Sequence, residues 1–568
     1  MGSNRWRARL WVAALAAACN GDPVGPPLAV CHSSVQPVAL TVGQYTAIDP
    51  QPTAGCVVFP AASAADSAEY LLVPQVTTES PDNRSSFKLV GGVRVTATAP
   101  PFSAAQYEED AQSPAEQFHY RLRQLERARA WGAPTGAPPA GAPPRQALTL
   151  GSGPITVGDR RVFKVLSSLT NFLAAPVNVV AFAKTVGQHV AIYVDSAAPA
   201  GGMTQADLDS LRSTFDTLLY PVDTAAFGRE SDIDGNGLVL VLMTSAVNQL
   251  VTASSCQTKG FIAGYFFGAD IDPAAAAQWN NGEIFYSIVA DSSATLSCSH
   301  PNSQLKRLIP VTFIHEFQHM ISYNQHVLVR GTAAEALWLN EGMSHYAEEL
   351  GGRAFLAGTA GTDTVHFCNH VRGDLGNLGK YWASPGTHAL VDTSGIGGLP
   401  ERGADWLFVR YLVDRFATDT TIAAAAAFTR GIDQTSATGT LNVAQVTGRP
   451  FAKTAEEWAL ASWVSDLPGF ATPDSLKFKQ WAFRTAFPRM YAVCNPNSTL
   501  PPSFPLVAVT SPGPSVSLPG TMWSGSGAAY QLVLQGPGDA GYALLFSDGN
   551  GAQLLPTLLP RLNVLRIR

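Results

Sequence analysis

His315-Glu316-Phe317-Gln318-His319 sets two imidazoles four residues apart, with a carboxylate directly after the first. In an α-helix, side chains at i and i+4 share a face, so both rings can reach one metal ion. Glu316 falls about 100° further round the helix, beside the ion rather than on it, where a carboxylate can accept a proton from activated water. Val311, Ile314, Met320 and Ile321 make the surrounding helix apolar. Two neutral histidines and a glutamate would be costly in such a place without partners, and a metal supplies one.

Catalytic zinc usually takes three protein ligands and leaves one position to solvent. Trp338-Leu339-Asn340-Glu341-Gly342 offers the third, because Glu341 lies 22 residues beyond His319. That length lets the first helix end, a loop pass through Gly331, and a second helix from about Ala333 return a carboxylate. The metzincin spacing would need glycine at 322 and histidine at 325, where Ser322 and Gln325 stand, and His326 misses by one residue. His345, Glu348 and Glu349 follow Glu341 at i+4, i+7 and i+8. They remain alternative ligands, or partners that orient the ligands.

H-E-F-Q-H followed by W-L-N-E-G resembles the gluzincin zinc peptidases, most closely the hyicolysin-like bacterial metallopeptidases. The resemblance spans about residues 155 to 490, with Gly264-Tyr265-Phe266-Phe267 before the motif and Trp406-Leu407-Phe408-Val409-Arg410-Tyr411-Leu412 after it. It implies a secreted, zinc-dependent endopeptidase acting on proteins or peptides. Its ligands would be His315, His319 and Glu341, and its general base Glu316. The implied fold is a zincin-like core with a mixed-sheet lobe and a mainly helical lobe.

Two departures qualify the resemblance. Thermolysin-like members carry an aspartate four residues after the ligand glutamate, where this chain has His345. The G-x-M-E-N run with which aminopeptidases of the wider clan bind a free amino terminus does not occur, which favours an endopeptidase. Related enzymes often hold the oxyanion with a later Tyr or His. Tyr381, in Gly379-Lys380-Tyr381-Trp382, is the candidate, against an ordinary core role for an aromatic pair.

With 568 residues the chain exceeds one hydrophobic core, so a multidomain α+β protein is expected. Charged residues at 14%, with Gly 50 and Pro 40, suit an exported, loop-rich, partly β protein, and a net charge of −6 without basic clusters argues against nucleic acid. Arg5, Arg7 and Arg9 precede an apolar run from Leu10 to Ala18, which reads as a signal peptide over residues 1–18. Leu15-Ala16-Ala17-Ala18-Cys19 resembles a lipoprotein processing site, giving a cell-surface or outer-membrane protein lipidated on Cys19. Alternatively, cleavage after Ala18 releases a soluble secreted chain. Removing Cys19 from seven cysteines leaves six, and sequence proximity suggests Cys31–Cys56, Cys256–Cys298 and Cys368–Cys494 among 15 connectivities.

Short β-rich runs suggest an N-terminal β-sandwich over 19–103, followed by a helix and Pro/Gly/Ala-rich linker over 104–146. The metallopeptidase domain would take 147–490 and a second, C-terminal β-sandwich 491–568. The front domain and its helix could be a propeptide covering the cleft until the linker is cut, or a plain spacer. Asp232-Ile233-Asp234-Gly235-Asn236-Gly237 matches the first half of a calcium loop, with Asp232, Asp234 and Asn236 as oxygen ligands. Met243 stands at position twelve where a glutamate would complete it, so a Gly-rich turn is the competing reading. A different class of function is a surface adhesin or binding protein carrying a structural or inactive zinc site.

Overall fold

Strands from the two ends of the chain pair with each other. In the computed structural model, which describes residues 35–91, 114–131, 154–357, 363–393, 397–494 and 499–568, one five-stranded sheet has the order Tyr45–Ile48, Pro560–Arg566, Ala68–Val76, Tyr530–Gln535, Ala508–Pro512. A four-stranded sheet has the order Ser517–Trp523, Arg84–Gly91, Tyr542–Asp548, Cys56–Phe59. Leu72 sits opposite Val564 on one side and Gln531 on the other. Phe59, Leu72, Leu89, Leu544, Phe546 and Leu562 fill the layer between the sheets.

This corrects the expectation of separate N- and C-terminal β-sandwiches: there is one sandwich, assembled from both ends. The error has a physical origin. Period-two alternation marks a strand's buried face but carries no information about its partner.

A six-stranded mixed sheet lies in the middle of the chain. Its order is Arg160–Val165, Val177–Val186, Val190–Asp195, Val239–Met243, Ile284–Ser287, Gly264–Phe266. Val239–Met243 runs parallel to both neighbours, whereas Gly264–Phe266 forms an antiparallel edge. The helix Gln205–Thr214 starts where Thr204 caps it: its side chain accepts from the Asp207 N–H, and Asp207 reaches back to the Thr204 N–H.

From residue 302 to residue 494 the fold is helical, with Asn302–Tyr323, Leu337–Ala357, Thr364–Ala383, Leu399–Phe416 and Phe451–Val464 as its long members. One continuous apolar core joins these helices to the six-stranded sheet and to the outer face of the five-stranded sheet, through Leu71, Val73, Tyr530 and Leu565, while the layer between the two sandwich sheets is a separate core. Cys256–Cys298 and Cys368–Cys494 form disulfides. Cys56 is also disulfide-bonded; Cys31, Cys19, residues 1–18 and the linker Pro134–Pro144 lie outside the described residues.

The sandwich is bound to the helical part by specific polar contacts. Tyr530 Oη donates to the Ala459 carbonyl at 3.0 Å, and Gln75 Nε2 donates to the Ala455 carbonyl at 3.2 Å. Pro560–Arg566 is an interior strand whose Leu562, Val564 and Leu565 are fully buried. At about 1.5–3 kcal/mol per buried aliphatic side chain, its removal approaches the whole stability of a domain. Deleting residues 560–568 should therefore expose residues 35–91 to limited proteolysis and abolish a single cooperative unfolding transition.

Candidate metal centre

Every residue from Phe313 to Tyr323 on the first motif helix is buried, as is every residue from Leu337 to Gly352 on the second. Helical stretches buried on every side belong to the core, and the crossing of these two fixes the site. Gly342 explains the closeness of the third helix. A Cβ there would stand 2.7 Å from the Asp405 carbonyl oxygen of Leu399–Phe416, so only glycine admits that backbone.

His315 Nε2 and His319 Nε2 lie 3.2 Å apart, and each stands 3.6 Å from one oxygen of Glu341. A tetrahedral zinc with bonds of about 2.0–2.1 Å holds its ligand atoms roughly 3.3–3.4 Å apart. His319 and Glu341 are 0% exposed and His315 is 7% exposed. Neither Glu341 oxygen has a hydrogen-bond partner. A buried carboxylate in that condition is strongly unfavourable alone and well suited to a cation.

The far side of each ring fixes its tautomer. His315 Nδ1–H donates to Glu348 Oε1 at 2.7 Å, and His319 Nδ1–H donates to Asn340 Oδ1 at 2.6 Å. Both Nε2 lone pairs therefore face Glu341. Glu348 Oε1 also lies 3.0 Å from His345 Nδ1, which is 2.9 Å from Asp374 Oδ1. His315, His345 and Glu348 come close enough to form a second metal trio. There, however, Glu348 is already the acceptor for two imidazole N–H groups, whereas the Glu341 oxygens have no such role.

The remaining rivals point elsewhere. Glu349 pairs with Arg353 at 2.7 Å and Arg410 at 3.4 Å, and accepts from the indoles of Trp406 and Trp481. His326 stands 3.7 Å from both Glu335 and Asp433. Tyr381 is a correction: its hydroxyl shares a hydrogen bond of 2.7 Å with Ser526 Oγ of the sandwich, and its ring stacks on Trp458. It ties domains together, the ordinary role weighed against catalysis for such an aromatic pair.

Glu316 is held by the edge strand, where the Phe266 N–H donates to Oε2 at 2.7 Å. Burial pushes its carboxyl up to about 7, against the pull of His315 and Arg123. A cavity of about 760 Å³ opens in front of His315 and Glu316. Its walls include the stretch from Thr258 to Gly264, His345, Arg402 and, unforeseen from sequence, Ala115 and His119.

Those last two residues belong to Pro114–Ala128, a helix seated against the edge strand and the Glu316 carboxylate. His119 Nδ1 lies 3.7 Å from Glu316 Oε1. Phe118 meets Tyr265 edge to face, and Arg123 Nη2 donates to the Phe266 carbonyl at 2.7 Å. Beyond the helix, Arg129 makes two bonds of 2.7 and 2.6 Å to Asp272, which also accepts from Trp131 Nε1 and Tyr323 Oη. Burial alone would raise the Asp272 carboxyl; Arg129, Tyr323 and the other donors hold it at about 2. A lowered carboxylate stabilises the folded state above its ordinary value of about 4 and loses that effect as pH falls towards about 2. The tie is therefore intact at neutral pH.

Asp232 and Asp234 come within 4.8 Å of Glu283, a residue the sequence reading did not single out. Asn340 was missed too, although it immediately precedes the ligand glutamate. Replacing Asn340 with alanine should leave the fold intact and weaken metal binding about 10- to 100-fold, measured by competition with a chromogenic chelator. Glu348→Gln should act in the same direction through His315.

No protein-family model matches the chain. It is similar to a neutral metalloprotease, ShpI of Staphylococcus hyicus, with 26% identity over 149 residues. The match covers 26% of this chain and 32% of that protein, so the chain spans about a third of the length of the curated relative it matches.

Proposed function

We propose that this chain is an exported zinc-dependent metalloendopeptidase. The observation that carries the reading is the pair of partnerless, fully buried Glu341 oxygens facing two oriented imidazoles. The likeness to a neutral metalloprotease supports it. When bound by His315, His319 and Glu341, zinc would polarise the scissile carbonyl and make water acidic enough to attack it near neutral pH.

The chain's own groups do the rest. Glu316 accepts the proton from the attacking water and returns it to the departing amine nitrogen. The Phe266 N–H fixes one carboxylate oxygen, so the proton is handled at a set position. Glu348 and Asn340 keep the imidazoles in the required tautomer. The Thr258–Gly264 wall, leading into the edge strand, would lie along an extended peptide. Export, with Cys19 either lipidated or the start of a soluble chain, belongs to this proposal on sequence grounds. Among the described residues no helix is long and apolar enough to cross a membrane.

Glu316→Gln should lower casein hydrolysis by about 10²–10⁴-fold while zinc, measured by plasma emission, stays bound. Hydrolysis at the wild-type rate would overturn the assignment.

The proposal includes latency, with Pro114–Ala128 covering the centre. The front strands would stay in any activated form, because Ala68–Val76 and Arg84–Gly91 are interior strands of the shared sandwich. Only the helix between them and the linker would leave. Replacing Arg123 and Arg129 together with alanine removes two of its anchors and should raise the rate on a small peptide by about tenfold or more, with unchanged zinc content. An unchanged rate would mean that the helix is a fixed wall of the site.

A further inference from the structure

The half-loop at Asp232–Gly237 lacks the twelfth-position glutamate that would close a calcium loop, and the fold supplies a substitute from elsewhere. Glu283, 1% exposed, sits at the start of Ile284–Ser287. One oxygen from each of Asp232, Asp234 and Glu283 lies within 4.8 Å of the others. We propose that these three carboxylates form a divalent-cation site of the calcium class, with the Asn236 amide, whose nitrogen donates to Asp234 Oδ2 at 2.7 Å and whose oxygen accepts from the Leu238 N–H, bracing the loop rather than ligating.

The independent sign of a ligand is Glu283 itself. Its Oε1 accepts from Ser231 Oγ at 2.6 Å and from the Ile233 N–H at 3.0 Å, whereas its buried Oε2 has no hydrogen-bond partner. The charge balance points the same way. Arg161 faces Asp234 at 4.0 Å, yet its guanidinium also donates to the Asn280 carbonyl at 2.5 Å and lies over the Phe163 ring. It is thus a weak counter-ion for three carboxylates.

The donor set decides the cation. Oxygen ligands from carboxylates, without sulfur or imidazole, suit a hard cation, and a loop that can add a backbone carbonyl and water suits calcium better than magnesium. Gly235 and Gly237 hold left-handed conformations at φ +69° and +70°, turning the chain so that alternate side chains converge. The site would join the starts of two adjacent parallel strands. The loop runs into Val239–Met243, and the Leu240 N–H donates to the Glu283 carbonyl at 2.6 Å. Ile284–Ser287 in turn pairs with the edge strand that holds Glu316. A cation here would brace the sheet supporting the catalytic carboxylate without touching the zinc ligands.

The test is calcium titration of the full chain by isothermal calorimetry, with Glu316→Gln as background so that self-cleavage cannot intervene and the result is independent of peptidase activity. One site with Kd of about 10⁻⁵–10⁻³ M is expected, and calcium at about 100 times Kd should raise the unfolding midpoint by roughly 5 °C. Adding Glu283→Gln should weaken binding at least tenfold with zinc content unchanged. Should that variant fail to fold, Asp232→Asn, at an exposed loop position, should show the same loss. Absence of calcium binding by the folded chain would overturn the proposal, as would binding unchanged by either substitution.

Discussion

A carboxylate sealed from water with no hydrogen bond to either oxygen is the constraint around which this molecule is arranged. Glu341 occupies that position, with His315 and His319 facing it at 3.6 Å. In a protein interior such a group carries a desolvation cost of several kcal/mol unless a cation or a donor compensates. Its imidazole neighbours are not arranged as donors, since both N–H groups are turned away, towards Glu348 and Asn340, and the buried Arg402 guanidinium acts on it through its charge. The whole second helix, buried from Leu337 to Gly352, keeps Glu341 in place. So does the close approach of Leu399–Phe416 over Gly342.

Such a site demands rigid surroundings, which the chain provides by closing on itself. Strands before residue 92 and after residue 507 make one sandwich, and this sandwich grips the helices through Tyr381, Gln75 and Tyr530. The sheet lobe contributes one decisive contact, the Phe266 N–H on Glu316. Glu316 is thereby referred to the sheet, and His315, His319 and Glu341 to the helices. Relative movement of the two lobes would change the separation of Glu316 from the His315–His319–Glu341 trio directly.

Much of the centre was readable because helical spacing is a local property. H-E-x-x-H fixes a face whatever surrounds it, and the 22-residue interval to Glu341 proved compatible with a returning helix. What failed was long-range. Asn340 and Asp374 act through contacts across helices, with no spacing rule to announce them, and Glu283 meets Asp232 from about fifty residues away. Tyr381 was an aromatic in a suggestive position, and only its partner Ser526, 145 residues downstream, reveals its role. The two sandwiches merged for the same reason: a strand's sequence specifies a face, and its neighbours are chosen by the rest of the fold.

The topology also restricts how the centre could be uncovered. A front domain that folded by itself could be shed whole, but here Ala68–Val76 is hydrogen-bonded between two C-terminal strands along most of its length. Losing it would expose both sheets. The covering helix has a different status. Its contacts with the cleft run through arginines, His119 and a few buried apolar side chains, and one helix can detach without unpairing a strand. Among the described residues, Pro114–Ala128 is thus the one element over the centre whose departure would leave both sheets of the sandwich paired.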